Sequence, residues 1–129
     1  METKDVLFEL TEKGYQFFKT GSRVTTHFTK SSDWDYVVYD PTCDLEKGLE
    51  TSSHWVRGGS NRLESPFDSF KTHGINGTVT NLILVQFKED YKKWIMATEV
   101  VKKTNPKTKE ERIKMFDLIF QPNKLDPAF

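Results

Sequence analysis

The chain has 129 residues and a mass of 15.1 kDa, the usual size of one domain. With 36% hydrophobic and 13% aromatic residues, it has enough apolar side chains for one core and does not read as disordered. Basic and acidic residues number 19 each, which argues against a strongly cationic binder of nucleic acids or membranes. The single Cys43 indicates a reducing compartment, and no apolar run is long enough to span a membrane. We therefore expect a cytoplasmic α/β domain.

Helices and short strands alternate in the first half of the chain. From the N-terminus, the pattern predicts a helix over 5–13, an aromatic strand over 15–20, a short helix over 23–28, a strand over 33–39 and a short helix over 43–50. Gly14 is a suitable end for the first helix, and Thr42 is the expected cap of the last one. The strand over 33–39 is the clearest, because β-branched and aromatic residues dominate it.

The second half is predicted to contain a hairpin followed by helices. In order, we expect a strand over 54–57, a flexible loop over 58–61, strands over 67–71 and 78–87, helices over 89–103 and 108–120, and an irregular tail from 121. Asn76-Gly77 is a strong turn signal for the hairpin. Residues 108–111 (TKEE) form a capping box for the last helix. The continuously apolar run over 82–85 suits a central strand that is covered on both faces.

Two aspartates at the start of the clearest strand are the first candidate site residues. Asp33 and Asp35 are two residues apart, so in a strand their side chains point to the same face. Like charges this close repel each other unless a cation neutralises them. Hard divalent ions such as Mg²⁺ take carboxylate oxygens and leave positions for phosphate oxygens. The alternative is an exposed strand edge with two solvated aspartates.

A glycine turn lies upstream of the two aspartates in the chain. Ten residues separate Gly21-Ser22 from Asp33. A glycine turn that leads into a helix presents backbone N–H groups that bind phosphate, and Ser22 can add its hydroxyl. On its own, Gly-Ser is an ordinary turn. It becomes informative because a strand precedes it, and a short helix, a polar loop and the Asp-X-Asp strand follow.

This arrangement resembles a known signature. Residues 20–23 (TGSR) with 31–40 (SSDWDYVVYD) resemble the motif of the nucleotidyltransferase superfamily of the polymerase-β type. The chain over 15–120 further resembles small nucleotidyltransferase-like proteins of bacteria and their phages, through SPFDSFK (65–71), TNLILV (80–85), WIMAT (94–98) and KTKEERIKMF (107–116). The resemblance implies a single α/β (α+β) domain over 1–129. It would have a mixed sheet of four to five strands in a core over 15–87, flanking helices, and C-terminal helices over 89–120.

The resemblance also implies an activity, the transfer of a nucleoside monophosphate from a nucleoside triphosphate (NTP) to a hydroxyl by two-metal chemistry. Asp33 and Asp35 would hold Mg²⁺ or Mn²⁺, Gly21 and Ser22 would bind phosphate, and Arg23 is expected to contact the triphosphate. The acceptor could be a protein, an RNA or a small molecule. Because the chain is short, we expect a partner chain, a homodimer or a very small acceptor. A bacterial or phage-infected cytoplasm fits the resemblance.

One position departs from the signature. Asn81 stands where a third carboxylate is usual, and its neutral amide can contribute to nucleotide or metal binding but cannot take a proton. If the hairpin turn centres between Gly74 and Ile75, Asp68 pairs with Asn81 and supplies the missing catalytic charge, while Lys71 faces the other side. Two alternatives to an enzyme therefore stay open. One is a catalytically degenerate protein that binds a nucleotide or a partner protein, and the other is a structural protein whose aspartates bind nothing.

Overall fold

The structure is a computed structural model that describes residues 1–58 and 67–120. Its elements, in chain order, are α1 (Thr3–Glu12), β1 (Phe17–Thr20), a 3-10 turn (Gly21–Val24), β2 (Trp34–Tyr39), α2 (Asp44–Thr51), β3 (Val56–Arg57), β4 (Asp68–His73), β5 (Val79–Val85), α3 (Lys88–Thr104) and α4 (Lys109–Phe120). Residues 59–61 of the predicted loop and the tail from 121 lie outside the described residues. None of the helices in the described part is both long and apolar enough to cross a membrane.

The described strands form one mixed sheet in the order β1-β2-β5-β4-β3. β2 and β5 run parallel, and the other three pairs are antiparallel. The expected α+β fold, with a mixed sheet of four to five strands and flanking helices, is confirmed. The parallel pair places the starts of β2 and β5 side by side, so Asp35 is the direct neighbour of Asn81.

The sheet separates two hydrophobic layers. One face of the sheet, called the α1/α2 face, presents Tyr36, Val38, Leu82 and Leu84 to helices α1 and α2. The opposite face, called the α3/α4 face, presents Val37, Ile83 and Val85 to helices α3 and α4. Successive residues of a strand point to opposite faces, so the apolar run of β5 is buried on both sides, as expected. Each such side chain contributes about 1.5–3 kcal/mol on burial.

The start of α2 differs from the prediction, because Thr42 is not its cap. The buried carboxylate of Asp40 accepts hydrogen bonds from the backbone N–H groups of Leu45, at 3.2 Å, and Glu46, at 3.0 Å. Cys43 adopts a left-handed conformation (φ 61°), which turns the chain from β2 into the helix within a few residues. This tight turn brings the end of β2 close enough for its own aspartate to satisfy the free N–H groups of the helix.

The predicted capping box at the start of α4 is confirmed. The hydroxyl of Thr108 accepts from the backbone N–H of Glu111 at 3.1 Å, and the Glu111 carboxylate accepts from the N–H of Lys107 at 3.3 Å. The helix that follows buries Phe116 against the α3/α4 core. Capping therefore fixes the residue at which α4 begins.

The register of the β4–β5 hairpin is not the predicted one. Asp68 pairs with Leu84, and Lys71 pairs with Asn81, so the expected pairing of Asp68 with Asn81 is wrong. A shift by an odd number of residues sends Asp68 to the α1/α2 face and Lys71 to the α3/α4 face. The predicted positions of these two side chains are thus exchanged.

The cause of the shift is the position of the turn. The N–H of Gly77 donates to the carbonyl of Gly74 at 3.0 Å, and the N–H of Gly74 donates to Thr78 at 2.8 Å. Gly77 has a φ of +84°, and the Asn76 side chain accepts from the N–H of Thr78 at 3.1 Å. The Asn-Gly signal thus marks the centre of the loop, beyond the point that the sequence analysis assumed.

Candidate active site

The glycine turn and the aspartate motif meet in the fold. Thr20 is the register partner of Asp35 across the β1–β2 pair, so Gly21 follows directly beside that carboxylate. Gly21 has a φ of +76°, and a Cβ atom built on it would overlap with Oδ2 of Asp35. Both the conformation and the contact therefore require glycine at this position. The ten residues between Ser22 and Asp33 complete the 3-10 turn and form a loop. Gly21 therefore remains next to Asp35 although the two are far apart in the sequence.

The end of β1 is also tied to α3. The hydroxyl of Thr20 lies 2.8 Å from the hydroxyl of Thr98, and both side chains are buried. At the end of α3, the Asn105 side chain accepts from the N–H of Thr26 and donates to its hydroxyl, both at 2.8 Å. Asn105 adopts a left-handed conformation (φ 53°) as it ends the helix. The chain is thus held to α3 both before and after Gly21-Ser22.

Lys71 brings a cation to the candidate metal ligands. Its Nζ lies 3.5 Å from Oδ2 of Asp33, and the two side chains are 36% and 35% exposed. Asn81, the register partner of both Asp35 and Lys71, is 2% exposed. The structure therefore assembles two carboxylates, an amide and an ammonium at the N-terminal ends of β2 and β5. From the sequence, Lys71 was expected to lie on the opposite face of the sheet from this group.

Arg112 of α4 is a second cation that feels the charge of Asp35, and it was not singled out from the sequence. Burial lowers the pKa of Arg112, while the negative charge of Asp35 acts in the opposite direction. The guanidinium thus lies within electrostatic reach of Asp35 and is partly withdrawn from water. One signal was available in the sequence: Arg112 is four residues before Phe116, so both lie on the core-facing side of α4.

Arg23, the predicted triphosphate contact, is hydrogen-bonded to the loop that leads into Asp33. Its Nε and Nη2 donate to the carbonyl of Ser32 at 3.1 and 3.0 Å, and its Nη2 also donates to the carbonyl of Lys30 at 3.3 Å. Its guanidinium carbon lies 3.9 Å from the ring centroid of Trp34, whose side chain packs on the α1/α2 face. Arg23 therefore holds the loop that leads into Asp33, and its contact with a triphosphate stays a prediction.

Asp68, predicted to be a catalytic carboxylate, belongs to a separate cluster. Its carboxylate accepts from Nη1 of Arg57 at 2.7 Å, and Arg57 also pairs with Glu46 and Glu50. A hydrogen bond with Asp68 raises the pKa of Glu46, with further contributions from burial and from the charges of Asp68 and Glu50. This cluster lies on the α1/α2 face, so Asp68 does not join Asp33 and Asp35.

The donor set for a metal at the candidate site is limited. In residues 1–58 and 67–120, no group of three or more His, Cys, Asp or Glu side chains is placed to hold an ion. Two carboxylates with an adjacent amide still suit Mg²⁺ or Mn²⁺, because such ions complete their coordination with water and substrate phosphates. The oxygen donors of Asp33 and Asp35 therefore fit a metal that arrives with a nucleotide.

Comparison with known proteins adds no argument for a function. Neither the family models nor the curated protein sequences gave a match. Among solved structures, the chain is similar to terminal uridylyl transferase 4 from Trypanosoma brucei with bound dUTP, at 13% identity and a TM-score of 0.44. The similarity covers 77% of this chain and 38% of that chain, so this chain spans well under half the length of that enzyme. At this level, the similarity does not reveal what this chain binds or catalyses.

Proposed function

We propose that the chain binds a nucleoside triphosphate with a divalent metal ion and transfers the nucleoside monophosphate to a hydroxyl acceptor. The observation that carries the proposal is the contact between Gly21 and the Asp35 carboxylate. A phosphate-binding turn and metal-binding acids must be adjacent for such a reaction, because the acids would hold an ion that neutralises charge at the phosphates. The TGSR and SSDWD motifs and this contact point to the same residues independently.

Each residue of the site has a role in this proposal. Asp33 and Asp35 are the metal ligands, and the backbone N–H groups and hydroxyl of the Gly21-Ser22 turn bind phosphate oxygens. Lys71 and Arg112 supply positive charge to the triphosphate, and Arg23 fixes the loop that carries Asp33. The bound ion supplies charge neutralisation at the phosphates when present.

The reaction balances without a further reagent. The acceptor oxygen forms a bond to the α-phosphorus, the bridging bond between the α- and β-phosphates breaks, and pyrophosphate leaves. The acceptor proton must go to a base. Within the described residues, the position beside Asp35 is filled by Asn81, which cannot accept it. Proton transfer to water or to a group of the acceptor completes the step.

A second candidate function is nucleotide binding without transfer. It is favoured by the register of the hairpin, which puts Lys71 across from Asn81 and sends Asp68 to the other face. A lysine and an asparagine in place of an acid retain affinity for phosphate but supply no proton acceptor. In this case the chain acts as a nucleotide-responsive binding module.

One experiment separates the two functions. The protein is incubated with each of the four NTPs, labelled at the α-phosphate, with Mg²⁺ and with RNA, protein or small-molecule hydroxyl acceptors. Labelled acceptor together with released pyrophosphate, both lost in Asp35→Asn, supports transfer. Metal-dependent binding of the NTP with no pyrophosphate release supports the binding module. Absence of NTP binding under all conditions contradicts both.

A further inference from the structure

The strand β1 forms one edge of the sheet, and half of its backbone groups point outward. In the part of the chain that the structure describes, β1 has β2 on one side and no strand on the other. The N–H of Tyr39 donates to the carbonyl of Gln16 at 3.0 Å, so these two residues form a hydrogen-bonded pair of the ladder. Such pairs alternate with non-hydrogen-bonded pairs along an antiparallel ladder. The N–H and C=O groups of Phe17 and Lys19 therefore point away from β2.

An apolar groove borders this free edge on the α3/α4 face. It has a volume of about 430 Å³ and lies between β1 and α3, where Phe18, Tyr91 and Ile95 line it. The rings of Phe18 and Tyr91 pack edge to face with their centroids 5.2 Å apart, and the Ile95 side chain is 41% exposed. An added strand would satisfy the outward backbone groups and cover this apolar surface at the same time.

The charges of the groove favour a second copy of the chain as the source of that strand. Glu99 and Lys102 of α3 both line the groove, are both exposed and lie about one helical turn apart. A two-fold axis reverses the order of residues on the facing helix. Glu99 of one copy would therefore face Lys102 of the other, and Lys102 would face Glu99. The patch is thus complementary in charge to itself.

We propose that two copies of this chain associate by antiparallel pairing of their β1 strands around a two-fold axis at Phe18. In this register, Phe17 of each copy forms a hydrogen-bonded pair with Lys19 of the other, which satisfies the outward groups of β1. Phe18 meets its counterpart as a non-hydrogen-bonded pair, where side chains lie closest, and the two rings fill the joined grooves. The two sheets become one, and the association does not depend on the proposed function.

The neighbouring symmetric registers are less favourable. An axis at Lys19 sets two lysines directly opposite each other and pairs Phe17 with Gly21, which lies outside β1 in the 3-10 turn. An axis at Phe17 pairs Lys19 with Tyr15, whose N–H already donates to the end of α1 at 3.0 Å. A lysine on an edge strand commonly discourages pairing, but the axis at Phe18 places it beside an aromatic ring, which attracts its ammonium group.

The first test is analytical ultracentrifugation over a range of protein concentrations. Lys19→Pro removes an N–H that points away from β2, so each copy should keep its own sheet while the dimer loses a backbone hydrogen bond. We expect the dimer dissociation constant to rise at least tenfold. Lys19→Thr is the matched control, because it retains the N–H on a residue that suits a strand, and it should still dimerise.

The second test reverses the charges on α3. Glu99→Lys and Lys102→Glu each place like charges across the proposed axis, so each should weaken the dimer. The protein that carries both substitutions restores opposite charges across the axis and should dimerise as the unchanged protein does. Restoration by the second substitution requires that the two residues face each other between copies.

Three results would overturn the proposal. They are a protein that stays monomeric up to millimolar concentration, a dimer that survives in a folded Lys19→Pro protein, and charge reversals on α3 that leave the dimer unchanged. A monomer whose β1 edge instead binds an unrelated extended peptide also overturns it. If its amide spectrum shows that Lys19→Pro has unfolded, the charge-reversal series decides, because Glu99 and Lys102 are exposed and their substitution leaves the core intact.

Discussion

The ammonium of Lys71 lies 3.5 Å from the carboxylate of Asp33, and the hairpin register that pairs Lys71 with Asn81 creates this ion pair. Both side chains are about one third exposed, so the pair contributes at most about 1 kcal/mol to stability. Its importance is electrostatic. The lysine gives one of the two acids a counter-charge and places a cation where a triphosphate is proposed to bind.

The first prediction concerns this lysine. Lys71→Met should change the free energy of unfolding by less than about 1 kcal/mol, because the ion pair is partly solvated. It should weaken Mg²⁺-dependent NTP binding about tenfold or more, which corresponds to 1.4 kcal/mol. Titration calorimetry measures the affinity, and Lys71→Arg should retain most of it. Lys93→Met, on the exposed side of α3, is the matched control, and an equal effect of both methionine variants would contradict the assignment.

Gly21 provides the second prediction. Gly21→Ala forces a side chain into a positive-φ conformation and against Asp35, so it should destabilise the fold by about 1–3 kcal/mol and abolish NTP binding. Gly77→Ala separates the two causes, since Gly77 also has a positive φ but has no atom within 4 Å of the added Cβ. Urea unfolding should show the smaller loss for Gly77→Ala, with NTP binding intact. Equal losses in stability and in binding would mean that the contact with Asp35 has no special role.

Arg112 provides the third prediction. Arg112→Met keeps an apolar stem in the half-buried position and removes the charge near Asp35. We expect the NTP dissociation constant to rise at least tenfold and to become less sensitive to salt, because one cation fewer faces the triphosphate. The NTP dissociation constant of Arg112→Lys should lie between those of the unchanged protein and of Arg112→Met. An unchanged dissociation constant in Arg112→Met would remove Arg112 from the site.

The acidic cluster around Arg57 gives a pH-dependent prediction. The hydrogen bond with Asp68 raises the pKa of Glu46 above its ordinary value of 4.5, so the folded state holds this proton more tightly than the unfolded state. The contribution of Glu46 to stability is favourable below its ordinary pKa and is lost as the pH rises through the folded value. Glu46→Gln keeps a hydrogen-bond donor toward Asp68 and should therefore raise the melting temperature at pH 7 more than at pH 4.

Melting curves at the two pH values check this prediction. Glu12→Gln, at the exposed end of α1, is the control for loss of a surface carboxylate. A gain for Glu46→Gln that is larger at pH 4 than at pH 7 would reverse the sign and contradict the assigned cause.

Local patterns were sufficient to predict most of the elements. The apolar run of β5, the capping box of α4 and the Gly14 end of α1 each depend on neighbouring residues, and the structure agrees with all three. The cap of α2 was missed because Asp40 reaches its partners through a tight left-handed turn at Cys43, which local preferences do not favour.

The site was harder to predict because it depends on register and on tertiary packing. The hairpin centre was predicted at the wrong residue, so the predicted sheet faces of Asp68 and Lys71 were exchanged. Each single-residue shift in register reverses the face of every side chain. The position of Arg112 depends on how α4 packs against the sheet, which the sequence pattern alone does not specify. The setting of Arg23 depends on Trp34 and on the carbonyls of a loop without regular structure.

The most direct test of the central claim is the thermal stability of the protein with each NTP, with and without Mg²⁺, beside the Asp33→Asn/Asp35→Asn variant. A ligand at a hundred times its dissociation constant stabilises a fold by about 2.7 kcal/mol, which raises the melting temperature measurably. We predict a rise that requires both the nucleotide and Mg²⁺ and that disappears in the double variant while its fold is retained. A rise that persists in the double variant, or no rise with any nucleotide, would contradict the assignment of Asp33 and Asp35 to a metal–nucleotide site.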